Sequence, residues 1–259
     1  AVWPRGGPPG FASGRMTPQA WLARHYLAAQ GFAVLEVKPR GTAGYGPSFR
    51  RASHRNWGTG PMRDLLAVAD SATTHAWVDS TQQVLVGEGY GGYLATWTLT
   101  QTDRFRAAVA QSGVYDLPAL YGEGQAGRQL PAQFGGYPWE GARRTLPPGA
   151  DTLLADSLTA PLPDGPTPRS TLHRNSPLSA VDRIQSPLLL LHGGDDHHTG
   201  PAQPQRLYKS LKALGRPVEY VRYPGVGHDF ATTATPRQRL DRLVRLYEFL
   251  ERFTESSVR

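Results

Sequence analysis

The sequence contains no cysteine. That excludes disulfides, thiolate nucleophiles and Cys-ligated metals, and it leaves the cellular compartment open. Lysine is scarce as well. Only Lys38, Lys209 and Lys212 occur, so the 28 basic residues are mostly arginine. They outnumber the 21 acidic residues and give a net charge of +7, but they are scattered and form no dense run. A nucleic-acid surface gathers its cations on one face or helix, so no nucleic-acid partner is expected. The surplus reads as a basic surface with some attraction for acidic partners. No apolar run approaches the length of a membrane span, so no membrane partner is expected either. The N-terminus lacks the pattern of a secretory signal. The chain begins at Ala1 rather than Met, which leaves preceding sequence, or a partner supplying it, open. A soluble protein is expected, with the cytoplasm favoured, and a homo-oligomer is left open.

What is present is a turn-rich globular composition: 39% hydrophobic and 19% charged residues, with 29 Gly and 23 Pro. The 259 residues suffice for one large domain, expected over 1–259. Apolar runs and amphipathic stretches alternate. Phe32–Val37, Gln82–Gly87, part of Arg106–Gly113, Ser186–Gly193 and Pro217–Pro224 read as strands. The last is mixed enough to lie near a sheet edge. Helical patterns occupy Thr17–Ala29, with Thr-Pro as cap and first turn, then Met62–Trp77, Tyr90–Leu99 and Pro201–Leu214. Leu240, Leu243, Val244, Tyr247 and Leu250 mark a final amphipathic helix. Short, continuously apolar strands alternating with helices predict an α/β fold with a mostly parallel central sheet flanked by helices. An irregular insertion is expected at about 141–174. Its Leu146–Ser170 part is rich in Pro and Gly and reads either as a flap over a site or as a surface loop.

Two late segments carry catalytic character. "LLLLHGGDDHHTG" puts Asp195 and Asp196 just past the carboxyl end of a buried strand, where sites form in open α/β sheets. "YPGVGHDF" puts His228 in the loop before the last helix. An aspartate after one late strand and a histidine after the next suit an acid that orients an imidazole acting as general base. His197 and His198 beside the two aspartates raise a metal site. No His-x-x-x-His helix or second ligand cluster accompanies them, so neither metal nor cofactor is expected. Upstream, "VLVGEGYGGYLATW" (Val84–Trp97) has the outline of a nucleophile elbow, and residue 89, Asp196 and His228 follow the chain order nucleophile, acid, histidine of α/β-hydrolases.

Seven segments in order resemble the catalytic domain of the prolyl oligopeptidase family of serine peptidases, most closely its dipeptidyl-peptidase and acylaminoacyl-peptidase branches. They are "RGGPPG" (Arg5–Gly10), "PRGTAGYG" (Pro39–Gly46), "NWGTGPMRDL" (Asn56–Leu65), "GEGYGGYLA" (Gly87–Ala95), "QSGVYDL" (Gln111–Leu117), "FGGYPWE" (Phe134–Glu140) and "NSPLSAVDRIQSPLLLLHGGDD" (Asn175–Asp196). The resemblance is weakest over Gly141–Arg174. It implies an α/β-hydrolase fold, Asp196 as the acid, His228 as the base and the Tyr90 N–H as an oxyanion-hole donor. Arg5, which stands where the family has histidine, is expected to contact a peptide or small-molecule ligand together with Gly6, Gly7, Arg40, Tyr45 and Glu88. Family members usually carry a β-propeller ahead of this domain, and none is expected in this chain. The resemblance also implies a sheet cut short before the Gly-Gly-Pro loop.

The departure that matters is Gly89, at the position of the family's nucleophilic serine. Glycine suits the strained backbone of an elbow but has no oxygen to attack a carbonyl. Three readings stand: a peptidase or esterase whose serine was replaced, a natural non-catalytic ligand-binding or structural relative, and an enzyme that reuses the scaffold for other chemistry with His228 as base.

Overall fold

Val84–Glu88 (β3), Ala107–Gln111 (β4) and Leu188–Gly193 (β5) bury nearly every side chain, so each needs cover on both faces. Parallel pairing supplies it. In the computed structural model, which describes residues 1–8, 18–139 and 166–254, these three strands form the middle of a six-stranded sheet. Val2–Pro4 (β1), Leu35–Val37 (β2) and Val218–Tyr223 (β6) complete it in the order β2-β1-β3-β4-β5-β6, with every pair parallel.

Successive strand residues serve opposite faces. Leu85, Ala108, Leu188 and Leu190 join one core; Val84, Val86, Val109, Leu189 and Leu191 join the other. The first core is covered by Thr59–Ala72, Tyr90–Leu99 and Ala202–Ala213, through Leu65, Leu94, Leu207 and Leu211. The second is covered by Pro18–Ala29 and Pro236–Phe253, through Leu27, Leu243, Leu246, Phe249 and Leu250. In chain order the helices are α1 (Pro18–Ala29), α2 (Gly46–Arg51), α3 (Thr59–Ala72), α4 (Tyr90–Leu99) and α5 (Leu117–Glu123). They continue with α6 (Leu130–Phe134), α7 (Pro168–Arg174), α8 (Ala202–Ala213), α9 (Phe230–Thr233) and α10 (Pro236–Phe253). Among the described residues no helix is long and apolar enough to cross a membrane.

The five expected strands are all present, and β6 lies at an edge as its mixed pattern indicated. Periodicity gave no sign of β1. It has three residues and ends at Pro4, yet it sits inside the sheet between β2 and β3, placed by pairing rather than by local preference. α3 starts three residues before the expected Met62, because the Asn56 side chain accepts the amides of Thr59 and Gly60 at its entrance. It ends at Ala72 instead of running to Trp77, and the hydroxyls of Thr73 and Thr74 turn back onto the carbonyls of Asp70 and Ser71. α10 begins earlier than its leucine stripe, at a capping box formed by Thr235 and Gln238. Pro168–Arg174, inside the segment expected to be irregular, is a helix capped by Thr167. The Thr17 cap and most of Leu146–Ser170 lie outside the described residues.

Candidate active site

Gly89 is the single residue between β3 and α4. Its backbone has φ 56° and ψ −121°, a conformation that residues with a Cβ rarely adopt. The turn is pinned on both sides: the Gly89 amide donates to the Gln111 carbonyl at 2.9 Å, and its carbonyl accepts the Tyr93 amide at 3.1 Å. The neighbouring glycines are steric necessities. A Cβ on Gly87 would run into the Gly91 carbonyl, one on Gly91 would stand 2.6 Å from the Pro4 oxygen, and one on Gly92 would stand 2.9 Å from the Gln111 oxygen. Helix α4 therefore lies directly against the sheet, and all ten of its residues are buried. The Gly-Gly pair near the N-terminus packs in the same way: a Cβ on Gly7 would lie 2.6 Å from the Tyr90 ring, and one on Gly6 would lie 2.5 Å from Thr42.

Position 89 differs from these. Among the described residues beyond its chain neighbours, a Cβ built there meets only His228 within 4 Å, with Nε2 at 3.6 Å and Cε1 at 4.0 Å. The imidazole is held from behind. Its Nδ1 lies 2.9 Å from Oδ2 of Asp196, in the turn after β5. An ionised carboxylate only accepts hydrogen bonds, so Nδ1 carries the proton and Nε2 of the neutral ring is left as the acceptor facing Gly89. Asp196 is fully buried and densely solvated by the protein. It accepts the amides of His198 and Thr199, each at 2.9 Å, and the Thr199 hydroxyl at 2.7 Å, while His192 Nε2 stands 3.2 Å away. Burial by itself would raise its pKa. The close approach of the His192 ring and the hydrogen bond from His228, with the charges those rings carry when protonated, instead hold the carboxyl well below the usual range.

These groups open onto a shallow cleft, enclosing about 10 Å³, lined by Trp57, Gly89, Tyr90, Tyr93, Val114, His198, Thr199 and His228. A larger cleft of about 220 Å³, bordered by Ala1, Phe32, Trp77 and Tyr247, lies at the amino ends of the strands. Reactive groups in parallel sheets collect at the carboxyl ends, which is where the smaller cleft lies. Arrayed around it are an imidazole acceptor, its carboxylate and the first amide of a helix, Tyr90 N–H. This arrangement can remove a proton from a hydroxyl and stabilise an oxyanion.

The structure brings Gly89, Tyr90, Asp196 and His228 together, whereas Arg5, Arg40, Tyr45 and Glu88 do not line the cleft. Arg5 donates to Glu36 at 3.0 Å. Arg40 grips Asp64 through its backbone amide at 2.8 Å and its Nε at 2.9 Å. Glu88 accepts from Arg242 of α10 at 2.9 Å. Tyr45 is exposed and rests against Phe49. The Tyr90 phenol donates to the Trp57 carbonyl at 2.6 Å; burial, aided by the Asp64 charge, raises its pKa and keeps it a donor. Sequence reasoning assigned no site role to three contributors. Thr199 and His192 touch the acid, and Ser112, at a positive φ of 48°, donates its hydroxyl to the His228 carbonyl at 3.3 Å. For Thr199 the Asp-x-x-Thr spacing was a usable cue, being that of a side chain folding back on a turn.

The Prolyl oligopeptidase family pattern matches residues 20–142 and 151–257. The chain is 29% identical over 218 residues to an uncharacterized peptidase, YuxL, of Bacillus subtilis, covering 84% of this chain and 29% of that protein. It is 29% identical over 207 residues to dipeptidyl aminopeptidase BIII of Pseudoxanthomonas mexicana, covering 80% and 27%. Among solved structures, the acylaminoacyl peptidase of Pyrococcus horikoshii superposes with a TM-score of 0.78 at 24% identity, over 98% of this chain and 37% of that one. A puromycin-hydrolyzing peptidase of Mycobacterium tuberculosis superposes at 0.75 with 25% identity, over 98% and 34%. The chain thus spans less than a third of the length of these curated relatives. With the sheet order, the tight elbow and the matched residues taken together, the chain belongs to the prolyl oligopeptidase family.

Proposed function

We propose that this chain is the hydrolase domain of a serine-peptidase scaffold in which residue 89 occupies the nucleophile position, so that glycine there leaves it inactive or nearly inactive in acyl transfer through a covalent intermediate. The observation that carries the reading is the 3.6 Å between a Cβ at Gly89 and His228 Nε2, which is the reach a seryl hydroxyl needs for its proton to pass to the ring. In this reading His228 is the general base, Asp196 fixes its tautomer and orientation, and the Tyr90 N–H stabilises the oxyanion. Gly6 and Gly7 shape the wall beside Tyr90, while Arg5, Arg40, Tyr45 and Glu88 support the surrounding loops. Peptide or aminoacyl bonds are the proposed substrates of the parent chemistry, in line with the names of the relatives. With the nucleophile gone, the covalent route is lost, and binding and oxyanion stabilisation alone would give about 10³–10⁴-fold over water.

The test is to restore the hydroxyl. G89S should hydrolyse activated esters and aminoacyl anilides, with activity lost again in G89S/H228A. A folded G89S protein that turns over neither substrate class contradicts the reading.

A second reading, a ligand-binding relative without turnover, is favoured by Arg5. It stands at the family's histidine position with its guanidinium committed to Glu36. In that case peptides or small molecules bind the Gly89 chain measurably by calorimetry, while G89S stays inactive.

A further inference from the structure

We propose that the notch at Gly89 binds a small hydroxylic molecule, water or a short primary alcohol, and that His228 activates it as an acyl acceptor, so that the chain with glycine transfers acyl groups directly from an activated donor. The inference rests on the acid–base pair assigned above but goes beyond it, because it gives the glycine-bearing chain an activity of its own.

Four glycines surround the elbow, and three have no room for a side chain: Gly87, Gly91 and Gly92 each abut backbone atoms. Of these four only Gly89 has an open side-chain volume, and among the described residues beyond its two chain neighbours the group facing it within 4 Å is the His228 ring. An oxygen placed slightly nearer the ring than the Cβ position comes within hydrogen-bond reach of Nε2, whose lone pair points there because Nδ1–H is committed to Asp196 at 2.9 Å. Gly89 is buried, so a molecule held there is sheltered from bulk solvent. Trp57, Tyr90, Tyr93 and Val114 provide an apolar wall for the acyl group, and the Tyr90 amide, at the start of α4, lies where helix N–H groups have no acceptor inside the helix. The enclosed part of the cleft is only about 10 Å³, room for about one small oxygen-bearing group, so the acyl donor lies along its open mouth and a compact donor is favoured.

The step balances without any oxidant or reductant. The acceptor R′O–H gives its proton to Nε2 as its oxygen bonds to the carbonyl carbon of R–C(=O)–X. The C–X bond then breaks, and X leaves with the proton returned from Nε2, giving R–C(=O)–OR′ and HX. With water as acceptor the product is the acid. The notch is bounded by the elbow and the ring, so it takes methanol readily, ethanol less well and 2-propanol poorly.

The experiment uses the full chain with glycine at 89, p-nitrophenyl butyrate as donor, and methanol, ethanol or 2-propanol at equal concentration. Alkyl butyrate is quantified by gas chromatography. Methyl butyrate should form about 10²-fold faster than with H228A, the usual reach of a positioned general base. G89A keeps the imidazole but puts a methyl group in the notch, and it should fall to within a few-fold of H228A. The 2-propyl ester should form about tenfold more slowly than the methyl ester. Equal methyl ester rates for the Gly89 chain, G89A and H228A overturn the proposal. If G89S is an active hydrolase while the Gly89 chain makes no ester, this inference fails and the assignment of the acid–base pair stands. If G89S is also inactive, both fail.

Discussion

Arg242, in the last helix, donates to the carboxylate of Glu88 at 2.9 Å, one residue ahead of the elbow glycine. The same guanidinium donates to the side chain of Gln111 at 2.6 Å, and the backbone carbonyl of Gln111 accepts the Gly89 amide. The underside of the elbow is thereby tied to α10 by a buried cation. Removing that cation leaves a partly buried carboxylate and a buried amide oxygen without their donor. R242A should therefore destabilise the protein by about 2–3 kcal/mol, somewhat less than the ~3–5 kcal/mol of a fully buried pair because Glu88 retains some solvent. Urea unfolding measures it. The double variant E88L/R242M, which removes both charges, should recover much of the loss. A double variant less stable than R242A contradicts this account of the network.

The buried acid gives a pH dependence with a definite sign. Asp196 is held below its unfolded pKa of about 4. Its contribution to stability is therefore complete above about pH 4 and is lost as pH falls further, through the depressed folded value. Thermal unfolding followed from pH 5 down to pH 2 should fall less steeply for D196N than for the parent chain. Parallel slopes would show that Asp196 does not contribute in this way.

Two neighbouring glycines should respond differently to a methyl group. At Gly87 the added carbon meets the Gly91 backbone, which cannot yield without moving α4 off the sheet. At Gly89 it meets, among the described residues beyond its chain neighbours, only the His228 ring, and the cost is that of a sparsely populated backbone conformation, about 1–3 kcal/mol. G87A should lose about 3 kcal/mol or more, or fail to fold. Denaturant midpoints for the two variants compare them directly, and a G89A protein less stable than G87A contradicts the packing described here.

The elements readable in the sequence were those with a local cause. Leu188–Leu191 could only be a strand buried on both faces, and the turn after it placed Asp196 at the sheet's reactive edge. His228 followed from its place after the next strand. β1 was not readable, because Val2–Pro4 is held by partners more than thirty residues away. Charged residues outside the acid–base pair were the least legible. Arg5, Arg40 and Glu88 look the same in a sequence whether their partner is a ligand or a distant Glu36, Asp64 or Arg242, and here the partners are internal. Ser112 likewise acquires its contact with the His228 loop only when distant strand ends converge, whereas Thr199 reaches Asp196 within a single turn.

The most direct measurement of the central claim, that residue 89 is a nucleophile position aimed at a working acid–base pair, is the intact mass of G89S after exposure to a fluorophosphonate. The account predicts one covalent adduct on G89S, none on the chain with glycine and at most slow labelling of G89S/H228A. A folded G89S protein that takes no adduct, or a Gly89 chain labelled as fast as G89S, would contradict it.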